Sequence, residues 1–143
     1  MDAPSRPRGR PPRGQAAADL LPADGPVLIT AHVAALLGVS ERAIRNQAVT
    51  GQLHNLRLTP RVVRFSRACL FARLHGQSCA TVVYDDAILT VEQAAALLGV
   101  GPATLLRAAA DGLIPSVHLS GTWRFSRAAL LRALCPEVPT PQP

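Results

Sequence analysis

Apolar positions along this chain follow a pattern that is laid down twice. The hexapeptide AALLGV occupies 34–39 and again 95–100. Sliding the chain on itself pairs LITAHVAALLGVSERAIRNQAVTGQL at 28–53 with LTVEQAAALLGVGPATLLRAAADGLI at 89–114, and VVRFSRACLFARL at 62–74 with TWRFSRAALLRAL at 122–134. Self-similarity of this kind marks a duplicated structural unit. The offset is 61 residues over the first block and 60 over the second, because the stretch before Arg64 is one residue longer than the stretch before Arg124. That extra residue is expected in a loop, where insertions are tolerated best.

The periodicity within each copy predicts its elements. In the second copy Thr90 can cap a helix with Gln93 as capping-box partner, and Ala94, Leu97 and Leu98 form an apolar stripe that ends at Gly99. In the first copy Ser40 caps a second helix in which Ile44 and Ala48 face inward until Gly51 stops it. Pro102 opens the matching helix of the second copy, and Gly112 ends it. Alternation follows: Val117 and Leu119 point one way and His118 the other, Ser120-Gly121 turns the chain, and Trp123 and Phe125 return inward with Arg124 outward. Ser126–Leu134 closes the unit as a helix with Leu130 and Leu134 inward. Each unit therefore reads helix, turn, helix, hairpin, helix. The fold class expected is mainly α with small β-hairpin wings.

With aromatics at only 3%, the core must be built from Leu, Val, Ile and Ala. The basic residues are all arginine, 15 against nine acids, for a net charge of +6, which favours a polyanionic partner. A coding bias explains the absence of lysine but not where the arginines sit. Residues 27–77 carry seven Arg against Glu41, whereas 78–143 carry four Arg against five acids, so the two halves stand at +6 and −1. No secretory h-region is evident, and the longest clean apolar run, Val33–Val39, is too short to cross a bilayer. The expectation is a cytoplasmic, nucleoid-associated protein with no membrane contact. Cys69, Cys79 and Cys135 are odd in number and widely spaced, so reduced thiols are expected rather than a disulfide framework. Cys69, His75 and Cys79 lack a CxxC pair and a fourth partner, so neither a metal nor another cofactor is expected. The histidines are scattered, with no carboxylate pair, Ser-His-Asp set or phosphate loop near them. No catalytic residue is assigned, and the protein is not expected to be an enzyme.

The stretch LTVEQAAALLGVGPATLLRAAADGLIPSVHLSGTWRFSRAALLRAL at 89–134 resembles the small winged helix-turn-helix of excisionase and MerR-type DNA-binding domains. The first copy keeps LLGVS and RFSR but carries Thr59-Pro60-Arg61 where the second has a glycine wing tip. The resemblance implies tandem winged helix-turn-helix domains, with the second helix of each entering the major groove and the wing contacting the backbone. The domains expected are a disordered basic arm at 1–26, unit one at 27–75, a linker at 76–87, unit two at 88–135 and a disordered tail at 136–143. Within the linker, Val82, Val83 and Tyr84 are suited to an extra strand or to packing the units together. MerR-type regulators continue into a long dimerisation helix and an effector domain, and neither follows residue 134.

Candidate contacts follow from spacing. Arg42, Arg45 and Asn46 fall at i, i+3 and i+4 opposite Ile44 and Ala48, so they share one exposed helix face. Arginine pairs bidentately with guanine and asparagine with adenine. Arg57, Arg61, Arg64 and Arg67 suit phosphates, which position without specifying. In copy two the matching helix positions are Ala103, Leu106 and Arg107. Two readings stand for that copy: it sits on DNA through Arg107, Arg124 and Arg127, or its apolar helix binds a protein such as a recombinase, a polymerase or a second copy of the chain. In the arm, Arg8-Gly9-Arg10-Pro11 resembles an AT-hook, whose arginines run along a narrow minor groove. The expected partner is double-stranded DNA. The expected role is that of a transcription regulator or an excisionase-like architectural factor, with non-specific nucleoid coating as a rival.

Overall fold

The computed structural model describes residues 21–79 and 82–135. Over the first stretch the chain forms β1 (Val27–Leu28), α1 (Thr30–Leu37), α2 (Glu41–Thr50), β2 (Leu56–Thr59), β3 (Val62–Ser66) and α3 (Arg67–Leu74). The second repeats that order as β4 (Ile88–Leu89), α4 (Val91–Leu98), α5 (Pro102–Ala110), β5 (Val117–Leu119), β6 (Thr122–Ser126) and α6 (Arg127–Ala133). Each half holds a three-stranded antiparallel sheet, ordered β1-β3-β2 and β4-β6-β5, rather than the two-stranded hairpin expected. The added strands pair Leu28 with Phe65 and Leu89 with Phe125. Two residues are too few for alternation to reveal a strand. Residues 82–87 form no strand, but Tyr84 packs against the core of the second half.

Side chains fix the helix starts. Thr90 Oγ1 accepts from the Gln93 N–H at 3.2 Å while Gln93 Oε1 accepts from the Thr90 N–H at 3.0 Å, a reciprocal capping box. At the start of α1, Ile29 stands where Thr90 does, and His32 takes the glutamine's part by accepting the Ile29 N–H at Nδ1, 3.3 Å away. Ser40, Ser66 and Ser126 cap α2, α3 and α6 through bonds of 3.1 Å to Ala43, Cys69 and Ala129. The RFSR motif thus ends a strand on the core-facing Phe and opens a helix on the Ser. Gly38 and Gly99 close α1 and α4 in the left-handed conformation, at φ 69° and 67°.

The first sheet is buried on both faces. Leu28, Val63 and Phe65 pack with Val33, Ile44, Ala48 and Leu70 of their own half. Alternate positions, Val27, Leu56, Leu58 and Val62, join the core of the second half, among Leu98, Leu105, Phe125 and Leu130. The extra residue of the first copy is Leu58. Leu56 pairs with Arg64, Arg57 with Val63 and Thr59 with Val62, so Leu58 is a bulge. Its side chain is only 5% exposed and sits in that shared core. The insertion therefore lies inside a strand and not in a loop, because it supplies an apolar contact between the halves. The equivalent face of the second sheet is bare, with Ile88 at 74%, Val117 at 51% and Leu119 at 67% exposure.

Two further expectations change. The last residues of the arm are packed: Gly25 is buried, the Arg67 N–H donates to Pro26 O at 3.0 Å, and Leu21 lies against the shared core, because its apolar side chain finds a site beside Gly99. Cys69 and Cys135, 66 residues apart, are joined as a disulfide with Cα atoms 6.2 Å apart, because contact between the halves brings the end of α6 to α3. His54 and Cys79 lie beside that pair, whereas His75 ends α3 in an exposed position. Among the described residues, no helix is long and apolar enough to cross a membrane.

Candidate nucleic-acid interface

The face of α2 opposite Ile44 and Ala48 is open to solvent, and Arg42, Arg45 and Asn46 all stand exposed on it. Glu41 lies one turn before Arg45, with its Oε1 3.6 Å from Nη1. Both side chains are more than half exposed, so the pair orients Arg45 while adding little to stability. Beside this helix the wing tip is shaped locally. Thr59 Oγ1 accepts from the Arg61 and Val62 N–H groups at 3.2 and 3.1 Å, and Arg57 Nη1 donates to Pro60 O at 2.8 Å. These bonds hold a Thr-Pro-Arg turn where the second unit uses Ser120 and Gly121, both at positive φ. A groove runs between α2 and the wing, and Arg45, Arg57 and Arg61 line it together. Sequence reasoning missed the shaping by Thr59 and the pairing by Glu41. A Thr one residue before a Pro at a turn was the available signal for the first.

Arg64 also borders this groove, but its guanidinium is held by the second half. It is 4% exposed. Nε donates to Leu98 O at 2.6 Å, Nη2 to Gly99 O at 2.7 Å and Nη1 to Val63 O at 3.0 Å. Leu98 and Gly99 stand at the C-terminal end of α4, where helix carbonyls lack intrahelical donors and the helix dipole is negative. Burial lowers the guanidinium from its usual range to about 10, so it remains a cation at neutral pH. The phosphate contact expected of Arg64 thus gives way to a clamp between the halves. Arg67 is half-buried, with its guanidinium 4.6 Å over the Phe71 ring and Nη1 3.5 Å from Ala23 O, so it reaches the N-terminal segment rather than the groove.

The second half is arranged differently. Ala103 and Arg107 are exposed on α5 and Leu106 is half-buried. Ala108 is buried at 2% where α2 has the exposed Gln47, because β2 lies against α5. Part of the apolar helix face is therefore covered by the chain's own first half. Arg124, the counterpart of Arg64, is exposed and donates to Trp123 O at 2.8 Å. Arg127 Nη1 lies 3.4 Å from Asp85 Oδ2. The structure brings Arg45, Arg57 and Arg61 together, sets Arg42 and Asn46 beside them, and leaves Arg107, Arg124 and Arg127 outside that groove. Arg8 and Arg10, like the tail at 136–143, lie outside the described residues.

Residues 88–135 match the family described as Helix-turn-helix domain. No curated protein and no solved structure matches the chain. The matched stretch covers β4 through α6, so this part of the chain is similar to a small helix-turn-helix domain.

Proposed function

We propose that the chain is a sequence-preferring DNA-binding protein of two winged helix-turn-helix units, in which the first unit is the main reader of the major groove. The observation that carries this reading is the groove between α2 and the first wing, where Arg45, Arg57 and Arg61 converge beside Arg42 and Asn46. A helix of this diameter fits the major groove, and its arginine and asparagine side chains suit guanine and adenine edges. Arg57 and Arg61 on the wing then meet phosphates, which fix the register. Arg107, Arg124 and Arg127 add backbone contacts from the second unit, and Arg8 and Arg10 add minor-groove contacts from the arm. Such a protein acts as a transcription regulator or as an excisionase-like factor that shapes DNA for a recombinase.

One specific observation favours a second reading, a DNA-tethered adaptor. The second half is near neutral and its sheet presents Ile88, Val117 and Leu119 to solvent, which suits a protein better than DNA. Site selection from random duplex DNA tests both readings, with the wild type and Arg45→Ala compared at fixed physiological salt. A recovered motif that degrades at one or two positions in the variant is the expected result. No motif, with equal binding by both proteins, refutes base reading by α2.

A further inference from the structure

We propose that His54, Cys69, Cys79 and Cys135 form a Cys3His site for one structural zinc ion in the reduced protein. The four residues come from separate segments: the loop between α2 and β2, the first turn of α3, the chain beyond α3, and the end of α6. Their ligand atoms nevertheless all lie within 4.8 Å of one another. His54 Nδ1 is 3.3 Å from Cys69 Sγ, 3.4 Å from Cys79 Sγ and 3.2 Å from Cys135 Sγ. Tetrahedral zinc, with bonds of about 2.0 Å to nitrogen and about 2.3 Å to sulfur, sets its nitrogen–sulfur edges at about 3.6 Å. The three nitrogen–sulfur edges lie within a few tenths of an ångström of that value, and reduction of the Cys69–Cys135 bond frees those two sulfurs to separate to the sulfur–sulfur edge of about 3.8 Å that the same geometry sets.

The chemistry of the set points the same way. Three thiolates and an imidazole select a soft or borderline cation, and four protein ligands leave no open position, which is the signature of a structural zinc site. Cys69 and Cys79 are 3% and 6% exposed, and Ala72 and Val82 pack around them. A Cys69–Cys135 disulfide uses two of these groups. It gives no reason for a third sulfur and a ring nitrogen to converge on the same point. From the disulfide, a phosphine reductant takes the oxygen of one water to become its oxide, and the two sulfurs gain the two hydrogens. Zn²⁺ then displaces one proton from each of three thiols, and neutral His54 supplies the fourth bond. The ion ties the first unit, the linker and the end of the second unit at one point. The CxxC spacing rule misses it because the residues are 15, 25 and 81 positions from His54.

The test uses the full chain, reduced with a phosphine and desalted, with Co²⁺ as a spectroscopic stand-in for Zn²⁺. The wild type is expected to retain about one metal per chain, to show intense tetrahedral d–d bands with sulfur-to-cobalt charge transfer, and to lose them on addition of Zn²⁺. Cys79→Ser and His54→Ala are each expected to weaken binding more than about 100-fold, beyond the loss seen for an outer-sphere partner. His54→Cys keeps the metal and raises the charge-transfer intensity, which separates a ligand role from a folding defect. No metal retained by the reduced wild type overturns the proposal. So does a cobalt spectrum indifferent to both single variants, or a Cys79→Ser protein with wild-type metal content.

Discussion

Replacing Arg64 by Met removes the clamp while keeping the length and much of the apolar stem of the side chain. Two of its hydrogen bonds cross between the halves, to Leu98 O at 2.6 Å and Gly99 O at 2.7 Å. Charge-assisted bonds contribute about 1.5–3 kcal/mol each. Burial opposes them: the fall of the guanidinium to about 10 corresponds to roughly 3 kcal/mol of desolvation. The charge itself is therefore close to neutral in its net effect, or stabilising by at most about 3 kcal/mol. The larger consequence lies in what the substitution leaves behind. Two buried carbonyls at the end of α4 lose their donor, at about 1–3 kcal/mol each. The expected loss is about 2–6 kcal/mol, read as a lower midpoint in urea at unchanged slope, and a fall of roughly 10–20 °C in Tm for a chain of this size. DNA affinity, measured against salt, keeps its slope. A stability change under about 0.5 kcal/mol with a salt slope reduced by about one would show that Arg64 leaves its site to meet a phosphate, and would refute the reasoning.

Arg61→Ala should behave in the opposite way, with stability unchanged within about 0.5 kcal/mol and a salt slope shallower by about 0.9; a steep fall in Tm would place Arg61 in the fold instead. Leu58→Ala should cost about 2–5 kcal/mol in urea unfolding, whereas Leu119→Ala on the bare second wing should cost under about 0.5 kcal/mol; equal effects would mean that the bulge does not join the halves. Gly38→Ala and Gly99→Ala both strain a left-handed residue. At Gly99 a Cβ would also meet Leu21 Cδ1 at 2.5 Å, while at Gly38 it meets open space. The thermal loss at Gly99 should exceed that at Gly38 by about 1–3 kcal/mol, and equal losses would unseat Leu21 from its contact.

What the sequence revealed depended on how local the signal was. The helix pairs were legible because their ends carry their own chemistry: Ser40, Thr90 with Gln93, Pro102, and the glycines at 38, 51 and 99. The exposed face of Arg42, Arg45 and Asn46 follows from helical periodicity alone. Strand β1 was not legible, since its two residues are recruited by β3, which follows only after two helices and a strand. Leu58 resembles a tolerated insertion until its partner surface is known. Arg64 is the instructive case: alternation along β3 correctly turns it away from the core of its own half, but that outward face is the one the second half covers. Cys135 joins His54, Cys69 and Cys79 only because the two halves meet, and no spacing within either half encodes that.

The contact through Arg64 and Leu58 joins the hairpin of one half to the helices of the other, and among the described residues nothing reciprocates it. The matching arginine, Arg124, is exposed, and the apolar face around Val117 is bare. A two-fold pair uses the same patch on both members and faces an inverted repeat on DNA. This chain pairs its halves head to tail. On the proposed function, two unlike units held in that way give the site bound by one chain a polarity, so a promoter or recombination site is read in one direction only. A palindromic target would therefore report two chains.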